Sequence, residues 1–147
     1  ALIVGCSHFG SIRAGFSKGK ITVLDVGETL PFSNALKVYH FTGQQLMNLV
    51  QFGNHNKAYG WLQTGNLEVK KDGEGNVVAL TYVSPRGKCI SIKEKTSCIV
   101  VADEFITNGG DGYSPSFFPK AQEIKAECMP ATTDAFINYL KTIPVLR

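Results

Sequence analysis

The run Phe105-Ile106-Thr107-Asn108-Gly109-Gly110-Asp111-Gly112-Tyr113 sets three glycines around one aspartate. It follows an apolar stretch, Ile99-Val100-Val101-Ala102, that reads as a buried strand. Glycine lets backbone approach a ligand closely and take positive φ. A lone carboxylate in such a loop, Asp111, can hold paired hydroxyls such as those of a ribose. Phe105 stands six residues before that carboxylate. An aromatic face, a loop free to adapt and one acid fit a nucleoside. An ordinary Asp-Gly turn with Phe105 in the core fits the same residues, since glycine turns are common.

Two further constellations carry chemistry of the same kind. Arg13 follows the turn Gly10-Ser11-Ile12 directly after a strand, and a guanidinium there can grip phosphate through two parallel hydrogen bonds. The alternative is a surface arginine. In Pro31-Phe32-Ser33-Asn34 the proline fixes φ and presents Phe32 at the end of a turn. Asn34 offers both a donor and an acceptor, which suits the edge of a base. A core phenylalanine and an asparagine bonded to local backbone would give the same pattern. Phe32 and Phe105, far apart in sequence, are candidates to sandwich one planar ring, an interaction worth roughly 1–3 kcal/mol per base.

Catalytic machinery is scarce by comparison. Phosphate hydrolysis ordinarily calls for metal or a strong nucleophile. The histidines, His8, His40 and His55, stand in no HxxE, HxH or DxH arrangement. His40 on a strand and His55 at a helix end read as solvated. There is no GxSxG nucleophile turn and no GxxxxGK phosphate loop. Four cysteines, Cys6, Cys89, Cys98 and Cys128, include no CxxC pair, which argues against zinc. Cys89 and Cys98 flank a short polar segment and either pair across a hairpin or remain buried thiols.

The elements that would position these residues can be read from periodicity. Leu2–Val4 is apolar and runs into His8-Phe9-Gly10. Thr22 with Asp25, and Thr42 with Gln45, form capping boxes that start helices. The first ends before Pro31 and is weakened by Gly27. The second carries Leu46, Met47, Leu49, Val50 and Gly53 at helical spacing. Residues 36–41 read as a strand. Strands follow at 67–69, 77–83, 90–92 and 97–102, with Asp72-Gly73-Glu74-Gly75-Asn76 as a hairpin turn. Thr132 or Thr133 is expected to cap a last helix through Phe136, Ile137 and Leu140, stopped by Pro144. Without regular βαβ alternation or repeats, this is an α+β chain: one domain of mixed β-sheet with a few packed helices.

Composition agrees and excludes several classes. At 147 residues, 44% hydrophobic and 18% charged, the chain has the size and apolar content of one folded domain. No apolar run approaches the roughly 18 residues of a membrane span. The net charge of +3 is spread, with Lys70-Lys71 the only adjacent basic pair, so nucleic acid is not an expected partner. The start at Ala1 has no basic region and no cleavage site, and reads as the interior of a longer protein.

In order along the chain, Gly10-Ser11-Ile12-Arg13, Gly19-Lys20-Ile21-Thr22, Leu30-Pro31-Phe32-Ser33-Asn34, Leu62-Gln63-Thr64-Gly65 and Asn108-Gly109-Gly110-Asp111-Gly112-Tyr113 resemble the C-terminal domain of 5′-nucleotidases. That family includes UDP-sugar hydrolases and apyrases. The resemblance implies a longer enzyme, periplasmic, cell-surface or secreted. Its N-terminal metallophosphatase domain would carry two divalent metal ions and a catalytic histidine, and would be a partner of this domain. The C-terminal domain would hold the nucleoside part of a nucleoside monophosphate, and a domain rotation would carry the phosphate to the metals. Carried over, Phe32 and Phe105 are the stacking walls, Asp111 holds the ribose hydroxyls, Asn34 touches the base and Arg13 contacts phosphate. Gly109, Gly110 and Gly112 shape the loop, and Trp61 is packing.

The first motif departs from the family's Asn-x-Gly-Gly-Ile-Arg. His8 stands at the asparagine position, where the family's residue contacts substrate, and Ser11 replaces the second glycine. A histidine there can donate a hydrogen bond or acquire charge near phosphate. Two readings follow: the substrate-binding domain of a metal-dependent nucleotidase, or a binding module that kept the fold without the activity. A DxH and an Asn-His-Glu motif upstream of Ala1 would favour the first. In either case the chain by itself is expected to be inactive.

Overall fold

The computed structural model describes residues 1–8, 12–56 and 61–146. Phe9, Gly10 and Ser11 of the first motif therefore lie outside the described residues. Within them, the local signals of the sequence set the helix starts. Thr22 accepts from the Asp25 amide at 3.3 Å while Asp25 accepts from the Thr22 amide at 2.6 Å, opening α1 (Val23–Thr29). Thr42 and Gln45 repeat the arrangement at 3.2 and 2.9 Å, opening α2 (Gly43–His55). Each box satisfies amide donors that a helix N-terminus leaves without partners.

Strands β1 (Leu2–His8), β2 (Leu36–Thr42), β3 (Leu62–Gly65), β7 (Ser97–Asp103) and β8 (Glu123–Ile124) form a five-stranded sheet in the order β3-β1-β7-β2-β8. The β1–β7 pair is parallel and the others are antiparallel. Strands β4 (Leu67–Lys71), β5 (Val77–Val83) and β6 (Cys89–Ile92) form a separate antiparallel sheet. The mixed α+β class is as expected from the sequence, with the strands divided between two sheets.

Helix α2 packs against both sheets. Its face of Leu46, Leu49 and Val50 is buried together with Val4, Phe41 and Val100 of the large sheet and Leu80 of the small one. Burying each such side chain contributes about 1.5–3 kcal/mol. Two glycines let the helix come close: a Cβ at Gly43 would collide with the Lys93 carbonyl, and one at Gly53 with Leu62. A short helix, α3 (Glu104–Thr107), and three 3-10 turns lead to β8 and then to α4 (Thr132–Leu140).

One expectation is corrected. Helix α4 has Ala131 at its N-cap with no side-chain cap. The Thr132 and Thr133 hydroxyls donate instead to the carbonyls of Phe32 and Leu30, each at 3.0 Å, and so tie α4 to the Pro31 turn. All four cysteines are free. Cys98 faces the core of the large sheet while Cys89 is exposed on the small one, so the two thiols belong to different sheets.

Candidate functional site

Strand register assembles one end of the large sheet. Leu36 at the start of β2 sits opposite Asp103 at the end of β7, and Cys6 of the parallel β1 sits beside Ala102. The end of β1 with His8, the end of β7 leading into Phe105, and the entry to β2 from Phe32 and Asn34 therefore share one edge. Two hydrogen bonds fasten the last two together: Glu104 N donates to Ala35 O at 2.8 Å, and Ala35 N donates to the Glu104 carboxylate at 3.3 Å.

Around Phe105 the packing is close. Its ring centroid lies 4.7 Å from that of His8, at 40°. A Cβ on Gly110 would fall 2.6 Å from the ring, so the absence of a side chain there lets the phenyl lie on the loop backbone. The ring remains 39% exposed. Phe105 is thus not a core residue. Gly109 takes a φ of 98°, which favours glycine. Asp111 takes a left-handed φ of 53°, held where its carbonyl accepts from Asn56 Nδ2 at 2.8 Å. Among the described residues no donor is bonded to the Asp111 carboxylate.

Around Phe32 the packing is open. The ring is 45% exposed. The Arg13 guanidinium carbon sits 5.2 Å from its centroid, a cation–π distance. Arg13 N donates to Thr29 O at 2.9 Å, which sets the backbone of that segment against the end of α1. Asn34 spends its backbone groups locally, its amide donating to Phe32 O and its carbonyl accepting from Thr132 N, both at 2.9 Å. Among the described residues its side-chain amide has no bonding partner, and the Arg13 guanidinium has no carboxylate partner. Among the described residues the Arg13 guanidinium beside the Phe32 ring, the Asn34 amide and the Asp111 carboxylate are therefore left available.

Beneath Phe105 lies a polar network that sequence reading overlooked. Asp103, 1% exposed, accepts from the Ser7 hydroxyl at 3.0 Å and stands 3.5 Å from His8 Nδ1 through one oxygen. Its other oxygen accepts from Ile106 N at 3.1 Å and caps α3. Burial pushes the Asp103 carboxyl up, but the bonds from His8, Ile106 and Ser7 outweigh it and hold the group below the usual carboxylate range. Burial, and secondarily the Asp103 charge, pushes the Cys6 thiol up to about 12. An available signal was Asp103 between an apolar strand and Glu104, an N-cap pattern.

The remaining sequence readings are spread elsewhere. His40 is bonded to Ser97 Oγ at 2.8 Å, and His55 is exposed at the last residue of α2. Trp61 is 51% exposed and lines a cavity with Val50 and Leu62. A cavity of about 1040 Å³ lies between α1 and the end of α4, lined by Phe16, Val26 and Leu140 and by none of the candidate residues. Among the described residues no three His, Cys, Asp or Glu side chains are grouped to hold a metal ion. No described helix is long and apolar enough to cross a membrane.

Known proteins share both this sequence pattern and this architecture. The sequence matches the family described as "5'-nucleotidase, C-terminal domain" over residues 3–118. It is 32% identical over 119 residues to the trifunctional nucleotide phosphoesterase protein YfkN of Bacillus subtilis (strain 168), a match that covers 76% of this chain and 8% of that protein. It is 27% identical over 147 residues to a 5'-nucleotidase-related protein of Glossina morsitans morsitans, covering 91% of this chain and 26% of that protein. Among solved structures, the 5'-nucleotidase precursor of Thermus thermophilus aligns with a TM-score of 0.80 at 28% identity, over 98% of this chain and 29% of that one. The NAD nucleotidase of Haemophilus influenzae shares the fold, with a TM-score of 0.77 at 19% identity, over 95% and 27% of the two chains. The chain thus spans about a quarter or less of the length of these curated relatives, and it belongs to the family of 5'-nucleotidase C-terminal domains.

Proposed function

We propose that this chain is the nucleotide-holding domain of a metal-dependent 5′-nucleotidase that releases phosphate from nucleoside 5′-monophosphates. The base stacks between Phe32 and Phe105. Asp111 accepts from the ribose hydroxyls, Asn34 bonds the base edge and Arg13 contacts phosphate. Gly109 and Gly110 let the loop approach. The observation that carries the reading is the Ala35–Glu104 pair of hydrogen bonds, which ties the Phe32 and Phe105 segments to one sheet edge. The unengaged Asp111 carboxylate, Asn34 amide and Arg13 guanidinium support it, because polar groups with spare bonding capacity are what a ligand needs.

Among the described residues no three His, Cys, Asp or Glu side chains are grouped to hold a metal ion, so the reading assigns hydrolysis to another domain. The two divalent ions and the catalytic histidine belong to an N-terminal metallophosphatase domain of the same protein. They supply a polarised phosphoryl group and an activated water. This domain contributes grip and orientation, and the whole protein acts outside the cytoplasm.

Calorimetric titration of adenosine and AMP into the chain tests the assignment. Wild type binds both. Phe105→Ala weakens both, and Asp111→Ala weakens both by more than about 1 kcal/mol through loss of a charge-assisted bond. Arg13→Ala weakens AMP and spares adenosine. Unchanged affinity in Asp111→Ala would remove that residue from the site, and hydrolysis of AMP by the chain alone would overturn the division of labour.

One observation favours the second reading, a binding module without catalysis. His8, at the position where the family's asparagine contacts substrate, is 6% exposed and turned onto Asp103. Sequencing upstream of Ala1 separates the readings: DxH and Asn-His-Glu motifs restore the enzyme, and their absence leaves the module.

A further inference from the structure

The position of His8 beneath the aromatic wall has a functional meaning of its own. Among the described residues its imidazole meets Asp103 and Phe105. Nδ1 stands 3.5 Å from an Asp103 oxygen, and the ring lies 4.7 Å from the Phe105 ring. Asp103 reaches the same phenylalanine by a second route, because its other oxygen caps the helix on which Phe105 sits. Imidazole, carboxylate and phenyl ring thus form a closed circuit through α3.

We propose that His8 is a positioning residue for Phe105, so that the placement of the wall, and with it affinity for a nucleoside, depends on whether the imidazole carries its second proton. The proposal rests on the nucleoside-binding reading and adds to it a dependence that an asparagine at this position cannot supply.

A neutral imidazole meets the Asp103 carboxylate through a hydrogen bond assisted by one charge. An imidazolium adds the second charge and makes an ion pair, which is stronger. The same cation is attracted to the nearby Phe105 ring. Protonation therefore tightens both contacts and holds the ring against the Gly110 backbone. Among the described residues, Cys6, Tyr113 and Asp103 near this cluster each stay in one state. Cys6 and Tyr113, both pushed up to about 12, remain neutral, and the Asp103 carboxyl, held low, remains charged. Glu104 is directed to Ala35 N, and Asp111 lies on the loop near Tyr113.

The test has a ligand-free readout and a binding readout. In proton NMR of the chain without ligand, the Phe105 ring signals are expected to shift in step with those of His8 as pH is lowered across the range in which the fold is stable. His8→Asn abolishes the shift, and Asp103→Asn, which retains a capping oxygen, reduces it. Adenosine, which has no phosphate to interfere, is then titrated across the same range. Affinity rises at least threefold toward low pH in wild type and stays level in His8→Asn. Phe105 signals that stand still while His8 titrates would overturn the proposal, as would an unchanged pH profile in His8→Asn. His8→Gln serves if the asparagine variant fails to fold. Absence of adenosine binding at every pH would overturn the nucleoside reading instead, while the ligand-free signals still decide whether His8 positions Phe105.

Discussion

Phe105 and Phe32 are similarly exposed, at 39% and 45%, yet they are held by different means. Phe105 sits on a helix capped by a buried aspartate, backed by an imidazole and seated on a glycine. Its direction is set before any ligand arrives. Phe32 sits in a turn whose restraints act on the backbone: the Thr132 hydroxyl on its carbonyl, and the Asn34 amide on the same oxygen. Its side chain has an exposed arginine for company. One wall of the proposed clamp is fixed and the other can adjust. Ordering a free side chain on binding costs about 0.5–1.5 kcal/mol, so the fixed wall should yield more net affinity per ring.

The most severe way to break this asymmetry is to remove its foundation. Asp103→Ala deletes the α3 cap and the carboxylate's contacts with Ser7 and His8, at a cost of about 3 kcal/mol. For a chain of this size the thermal midpoint should drop by about 6–12 °C in calorimetry. The same residue gives the loss a pH signature. Because its folded-state carboxyl titrates below the ordinary 3.8, its stabilisation is complete above that value and fades as pH falls through the folded one. The stability gap between wild type and Asp103→Asn in urea should therefore be present above pH ~4 and close as pH falls below it.

Next in size are the rings themselves. Phe105→Ala should weaken adenosine binding by about 2 kcal/mol, and Phe32→Ala by about 1 kcal/mol, with little effect on the thermal midpoint. Equal losses would mean that the two walls do not differ. Gly110→Ala sharpens the point, because the new methyl group must push Phe105 off its seat without straining the backbone. Affinity should fall nearly as far as in Phe105→Ala while stability changes by less than about 1 kcal/mol. The smallest effect belongs to the adjustable side. Thr133→Val removes one bond to Leu30 O, at a cost of about 0.5–1 kcal/mol in urea unfolding.

The two sides also differ in how far they could be read in advance. Both capping boxes were legible because their partners stand three residues apart. Phe105, Gly109, Gly110 and Asp111 were legible as one short run for the same reason. Thr132 and Thr133 were misread as caps because their hydroxyls go to carbonyls about a hundred residues earlier. The division into two sheets was missed because strand periodicity gives faces without partners. Strand β8 is too short at two residues to have a period at all. Asp103 was missed because its role depends on Ser7 and His8, which only the parallel pairing of β1 with β7 brings to it.

That pairing has a consequence in time. Ser7 and Asp103 are separated by 96 positions along the chain. A ribosome adding roughly 5–20 residues per second finishes β1 about 5–20 s before β7 emerges to lie beside it. During that interval the strand ending in His8 has one sheet edge with no permanent neighbour, which invites pairing with other nascent chains. The domain is therefore expected to be most prone to aggregation while it is being made, and least so once its last third has been delivered.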